Sequence, residues 1–308
     1  MSLHRRSMLL GAASLMSRPV LADDRVFLSY TQSELDRAYD QSAWAPNAAT
    51  VIARYGTDSA RLRATVPPRT LRYGQTEAES LDVFAPPNPG RVPIHVFIHG
   101  GAWTGLSKND ASAPAANFID TGAIYIALGF ANIPAVRLPE MVEQCRRALI
   151  WIGANAASFG GNADAIHLSG HSSGGHLAAM MAVTDWAARG APADLIKSTL
   201  LMSGIYELYP VMLSSRRNYL KLTPDEAAAL SPLRHMHQLR APVAVTVGDQ
   251  ESPEFKRQMV DMADVLAGQG MLRQRVMLFN QTHFEVAEQL GRPDAPVGRL
   301  ALAMMGLV

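Results

Sequence analysis

The sequence predicts an α/β domain built on a mostly parallel sheet, and three observations carry that expectation. Short apolar runs alternate with amphipathic helical stripes along most of the chain. Several of those runs are continuously apolar, as strands covered on both faces must be. At 308 residues, with 48% hydrophobic and 18% charged, the chain can bury a full core and has the composition of an ordinary globular protein.

In chain order, the segment 23–80 reads as irregular, apart from a helix around 33–39 and a break at Pro67-Pro68. Strands are expected at 81–84, 94–98, 123–128, 165–168, 198–202, 243–247 and 274–278. Met141, Val142, Cys145, Ala148, Leu149 and Ile152 mark one helical stripe between them, and Phe255, Met259, Met262 and Leu266 mark another. On this pattern Cys145 is a buried small hydrophobe. Residues 205–240, punctuated by Pro210, Pro224 and Pro232, are too long for a simple crossover. They are expected above the carboxyl ends of the strands, where an insertion can shape a pocket. Residues 23–308 are expected to form one domain.

The first 22 residues read as a cleavable export signal. Arg5-Arg6 precede the apolar stretch 8–16, and Val20-Leu21-Ala22 ends in a small residue suited to signal peptidase. The paired arginines resemble a twin-arginine signal, with cleavage near Ala22 and a periplasmic destination. Removal of Arg5, Arg6 and Arg18, with no acid lost, takes the formal charge from +1 to −2. Such a charge, without a basic stripe, argues against nucleic acid as a partner. No apolar run is long enough to span a membrane. The single cysteine excludes an intrachain disulfide. His235-x-His237 lacks nearby carboxylates or cysteines, so neither a metal nor a cofactor is expected.

The chemistry is concentrated in Gly170-His171-Ser172-Ser173-Gly174, a G-x-S-x-G sequence lying between an expected strand and an expected helix. A strand turning sharply into a helix strains the serine backbone and lifts its hydroxyl to the tip. Glycines at 170 and 174 leave room for the neighbouring chain. Upstream, His99-Gly100-Gly101-Ala102-Trp103 follows the strand 94–98, where such a loop supplies oxyanion donors. The candidate donors are the amides of Gly101, Ala102 and Ser173, with His99 holding the loop.

A serine nucleophile needs a base and an orienting acid, and this architecture supplies them in the order Ser, Asp/Glu, His after later strands. Of nine histidines, only His283 follows the last expected strand. The turn after 243–247 holds both Asp249 and Glu251; three residues beyond Gly248 is the position that favours Glu251, leaving Asp249 as a loop carboxylate.

The chain resembles the arylformamidase (kynurenine formamidase)-like branch of the α/β-hydrolases, a neighbour of the hormone-sensitive-lipase-type carboxylesterases. The resemblance runs from Glu34-Leu35-Asp36 with Tyr39, through Phe97 to Gly101 with Trp103, to Phe159-Gly160-Gly161. It continues through Ser169-Gly170-His171-Ser172, Asp185-Trp186 and Ser203-Gly204. Leu230-Ser231-Pro232-Leu233, Ser252-Pro253-Glu254-Phe255 and His283-Phe284-Glu285 complete it, and the last two segments are far more specific than the elbow. The resemblance implies Ser172 as nucleophile, His283 as base and Glu251 as acid, since the family's acid directly precedes Ser-Pro-Glu-Phe. Glu stands at 251 where the family usually has Asp, Ala102 where relatives often carry an aromatic residue or Gly, and Ser173 where Ala is common. It implies a serine hydrolase of small esters or activated, aryl formamide-like amides. A narrower alternative is the hydrolysis of N-formylkynurenine, from which the export signal departs. A binding protein on a decayed hydrolase scaffold is the rival class, and the joint presence of all three positions with the oxyanion loop argues against it.

Overall fold

The computed structural model describes residues 25–308, so the export segment expected at 1–22 lies outside the described residues. Strands β1 (Arg25–Phe27) and β2 (Tyr30–Thr31) form a small hairpin, followed by helices α1 (Gln32–Tyr39) and α2 (Ala48–Thr65). Next come β3 (Arg69–Arg72), β4 (Ser80–Phe84), β5 (Val92–Ile98), α3 (Ala115–Ile119) and β6 (Ile124–Leu128). The middle of the chain supplies α4 (Leu138–Asn155), β7 (Gly161–His171), α5 (Ser173–Ala182) and β8 (Ser198–Met202). Three short helices follow, α6 (Tyr209–Leu213), α7 (Arg217–Leu220) and α8 (Pro224–Ala229). The chain ends with β9 (Val243–Gly248), α9 (Pro253–Gly268), β10 (Leu272–Leu278), α10 (His283–Glu288) and α11 (Pro296–Met304).

Eight strands form one sheet in the order β10-β9-β8-β7-β5-β6-β4-β3. Only β4 runs against its neighbours β3 and β6; the other pairings are parallel. Successive strand residues face opposite sides, so one sheet serves two cores. From β5, Ile94, Val96 and Ile98 pack with Cys145 and Leu149 of α4, Leu177 of α5 and Phe255 of α9. Phe97 points the other way, into the cluster of Phe118 from α3, Val286 from α10 and Leu302 from α11. This double covering is why strands such as β6, Ile-Tyr-Ile-Ala-Leu, read as unbroken apolar runs. Among the described residues, no helix is long and apolar enough to cross a membrane.

The seven expected strands are all present, most of them extended by one to several residues at an end. The segment 23–80 is more ordered than expected. It contains the 18-residue α2, of which only Ala48, Val51 and Ser59 are fully buried, so its stripe is too faint to read. Strand β3 is Arg-Thr-Leu-Arg at the sheet edge, with no apolar run to announce it. In the 205–240 connection, Pro210, Pro224 and Pro232 sit at the first turns of helical segments, where a missing N–H costs nothing.

Candidate active site

Strand β7 turns into α5 at Ser172, whose backbone sits at φ +57°, ψ −122°, a conformation that L-residues rarely adopt. The flanking glycines are there for space. A Cβ on Gly170 would stand 2.1 Å from the Gly174 carbonyl oxygen, and one on Gly174 only 2.1 Å from the Ile98 oxygen. The strained turn is pinned by the Ser172 amide donating to the Met202 carbonyl at 2.9 Å.

The serine hydroxyl lies 2.9 Å from His283 Nε2, and His283 Nδ1 donates to Glu251 Oε2 at 2.7 Å. The three side chains come from the ends of β7, β9 and β10, in the chain order Ser, Glu, His. Glu251 is 1% exposed, and its other oxygen accepts from the Gly248 amide at 2.7 Å and the Ser203 hydroxyl at 2.5 Å. Asp249 takes no part; among the described residues its carboxylate accepts only the Gln281 amide, at 3.3 Å. Ser203 was not legible as a site residue. It directly follows β8 with φ +49°, strain in a buried serine whose hydroxyl orients the acid.

The loop after β5 turns back on itself through Gly101 (φ +106°), Ala102 (φ +54°) and Trp103 (φ +63°). The amides of Thr104 and Gly105 both donate to the Gly101 carbonyl at 2.9 Å, and a Cβ on Gly101 would meet the Gly105 oxygen at 2.1 Å. Among the described residues, the amides of Gly101, Ala102 and Ser173 have no acceptor. N–H groups left open in this way, those of the half-buried Gly101 and Ala102 and the buried Ser173, are available to an anion. Ser173 contributes more than its amide: its hydroxyl accepts from the Trp103 amide at 3.2 Å and ties the loop to the elbow.

Neutral histidines surround this centre. His99 Nδ1 donates to the Gly100 carbonyl at 2.9 Å and its ring stacks on Phe130. His176 accepts from Trp103 Nε1 at 3.3 Å and donates to the Leu230 carbonyl at 2.8 Å. Burial pushes both imidazoles down to about 4. His171 donates from Nε2 to the His283 carbonyl at 2.8 Å, and among the described residues its ring makes no hydrogen bond to Ser172, whose hydroxyl meets His283 instead. Beside the elbow opens a cleft of about 480 Å³ with an apolar floor that includes Phe97 and Leu62, and a rim that includes Arg54 and Arg61. Its walls reach Gly100 and His171 and stop one residue short of Ser172.

An alcohol aligned with an imidazole and a buried carboxylate, at the carboxyl edge of this sheet, is the working arrangement of an α/β-hydrolase. The protein is a hydrolytic enzyme of that fold. The BD-FAE family model matches residues 81–200, which carry the loop after β5 and the elbow. The kynurenine formamidase of Danio rerio is 32% identical over 292 residues, covering 90% of this chain and 98% of that protein. A crystal structure from Silicibacter sp., described as a candidate thioesterase, is 28% identical with a TM-score of 0.76, covering 87% of this chain and 98% of its own. An esterase from Pyrobaculum calidifontis, at 20% identity and a TM-score of 0.65 over 87% of this chain and 97% of its own, shares the fold. The chain belongs to the kynurenine formamidase family.

Proposed function

We propose that the protein cleaves esters or activated, aryl formamide-like amides of small substrates through an acyl-enzyme on Ser172. The observation that carries this reading is the 2.9 Å contact from Ser172 Oγ to His283 Nε2, continued at 2.7 Å to Glu251. Ser172 Oγ attacks the carbonyl carbon while its proton passes to His283 Nε2. The oxyanion is held by the amides of Gly101, Ala102 and Ser173, each such donor being worth ~3 kcal/mol in the transition state. The C–O or C–N bond then breaks, and the leaving group takes the proton from His283. Water, deprotonated by the same nitrogen, attacks the acyl carbon and frees Ser172. Glu251 holds the imidazole in the productive tautomer and stabilises its protonated form. The sequence requires neither metal nor cofactor.

A fluorophosphonate tests the reading: one adduct by intact mass on the wild type, and none on Ser172→Ala, is the expected result. An adduct mapped to Ser173, or an active Ser172→Ala, overturns it. A panel of aryl formamides, N-formylkynurenine and short- and long-chain esters then ranks the substrates. We also propose that residues 1–22 direct export to the periplasm by the twin-arginine route. Replacing Arg5 and Arg6 with lysine should strand the precursor in the cytoplasm; unimpaired export refutes it.

A further inference from the structure

His171 has a ring nitrogen that the mechanism leaves unused. Its Nε2–H donates to the His283 carbonyl at 2.8 Å, so Nδ1 carries a lone pair, and among the described residues that atom has no partner. The ring lines the cleft beside the elbow. Burial, reinforced by the neighbouring His283, holds it well below the usual imidazole range, so it stays a neutral acceptor. Gly100 packs closely beside it: a Cβ there would stand 3.0 Å from the His171 carbonyl oxygen, 3.1 Å from Ser172 Cβ and 3.2 Å from His171 Nδ1, so any side chain would crowd the acceptor. His171 Nδ1 and the Ser172 side chain therefore both lie against Gly100, which with His171 lines the inner end of the cleft.

Esters and amides differ at the scissile atom by one hydrogen. A secondary amide brings an N–H against this buried ring, and without an acceptor there it loses the hydrogen bond it made to water. An ester oxygen brings no donor and gains nothing from a lone pair facing it. We infer that His171 Nδ1 accepts a hydrogen bond from the scissile N–H of secondary amide substrates, with the leaving amine seated in the cleft. His171 is then the residue that sets amide against ester preference, a conclusion that rests on the acyl-enzyme reading above.

Formanilide, N-methylformanilide and phenyl formate form a matched series with N–H, N–CH3 and O at the scissile position. In the wild type, N-methylation should lower kcat/KM at least ten-fold beyond its effect on uncatalysed hydrolysis. In His171→Phe the formanilide-to-formate ratio of kcat/KM should fall roughly ten-fold, the scale of one neutral hydrogen bond. The N-methylformanilide-to-formate ratio should hold, and His171→Gln should recover part of the loss. Equal losses on amide and ester, or a matching fall in fluorophosphonate labelling rate, would show that His171 only positions His283 and overturn the inference. So would a wild type indifferent to N-methylation, a result that stands even if His171→Phe does not fold. A wild type that takes the label and cleaves formate but no anilide overturns it while leaving the acyl-enzyme reading intact; one that takes no label and cleaves nothing removes both.

Discussion

Replacing Glu251 with glutamine is isosteric, yet it should nearly abolish turnover. The carboxylate accepts three hydrogen bonds: Oε2 from His283 Nδ1, and Oε1 from the Gly248 amide and the Ser203 hydroxyl. A carboxamide has only one acceptor oxygen. Two donors converge on the Oε1 position, so the amide oxygen settles there and the NH2 group faces His283. It then donates to Nδ1 and drives the imidazole proton to Nε2, the tautomer that cannot take a proton from Ser172. A wrong tautomer of this kind costs about 10⁴ in kcat, or about 5 kcal/mol of barrier. Folding should survive, because every buried donor at the site keeps an acceptor. Asp249→Asn, whose carboxylate meets only the Gln281 amide at 3.3 Å, should cost less than about threefold. Glu251→Asp falls between, since a carboxylate retracted by about 1.5 Å cannot hold Gly248 and reach His283 together. Steady-state hydrolysis of a short chromogenic ester, with thermal melts as the folding control, measures all three. A Glu251→Gln enzyme retaining more than about a tenth of kcat, or an Asp249→Asn enzyme that loses more, would refute the reasoning.

Gly174→Ala should prevent folding or destabilise by more than about 3 kcal/mol, because its Cβ lands on the carbonyls of Ile98 and His99. Gly90→Ala, with nothing within 4 Å, should shift the denaturant midpoint negligibly; equal behaviour of the two would contradict the packing argument. Burial lifts the Cys145 thiol to about 12, so a disulfide-exchange reagent should read no thiol in the native protein and one after unfolding. Prompt native labelling would place Cys145 at the surface. Stability should fall on acidification through the buried imidazoles of His99, His167 and His176. Each is held to about 4 when folded, against an ordinary imidazole value of 6.5, so the unfolded chain binds more protons between those limits. Their contribution is complete above about pH 6.5 and is lost as the pH falls towards 4; urea midpoints that stay level across that window would refute it.

What could be read from the chain depended on how strongly each element had to advertise itself. The central strands are buried on both faces, so β6 reads as an unbroken apolar run and β5 as one interrupted by the buried His95. Helix α2 covers the cleft with a surface-facing mixture of Arg, Ala and Thr, and β3 closes the sheet edge with two arginines. Neither carries a period. At the site, Glu251 was legible because its distance from Gly248 lets its carboxylate turn back onto that residue's amide. Ser203 was not, since a positive φ in a serine before a glycine has no sequence signature. The Ser173 hydroxyl was underrated for the same kind of reason: its partner, the Trp103 amide, is 70 residues away.

The early segment that looked irregular fastens the acid. Tyr39 at the end of α1 donates to the buried Glu254 carboxylate at 2.8 Å, and Gln41 donates to the Ser252 hydroxyl at 2.9 Å. The same glutamine accepts from the Ser252 amide at 3.2 Å, clamping the residue next to Glu251. One turn further along α9, Gln258 accepts the Tyr206 and Glu207 amides at 2.8 and 2.9 Å, tying in the chain just beyond Ser203. Phe255 meets the His283 ring edge to face, with centroids 4.9 Å apart and planes at 81°. Ser-Pro-Glu-Phe is thus distinctive for a physical reason. A G-x-S-x-G turn requires only space and strain, and many chains supply both. Holding a carboxylate from one strand end 2.7 Å from an imidazole on the next requires a helix start in which three of four residues have a fixed partner and the fourth needs none. Ser252 meets Gln41, Pro253 opens the helix without needing an acceptor, Glu254 meets Tyr39 and Arg257, and Phe255 meets the base itself.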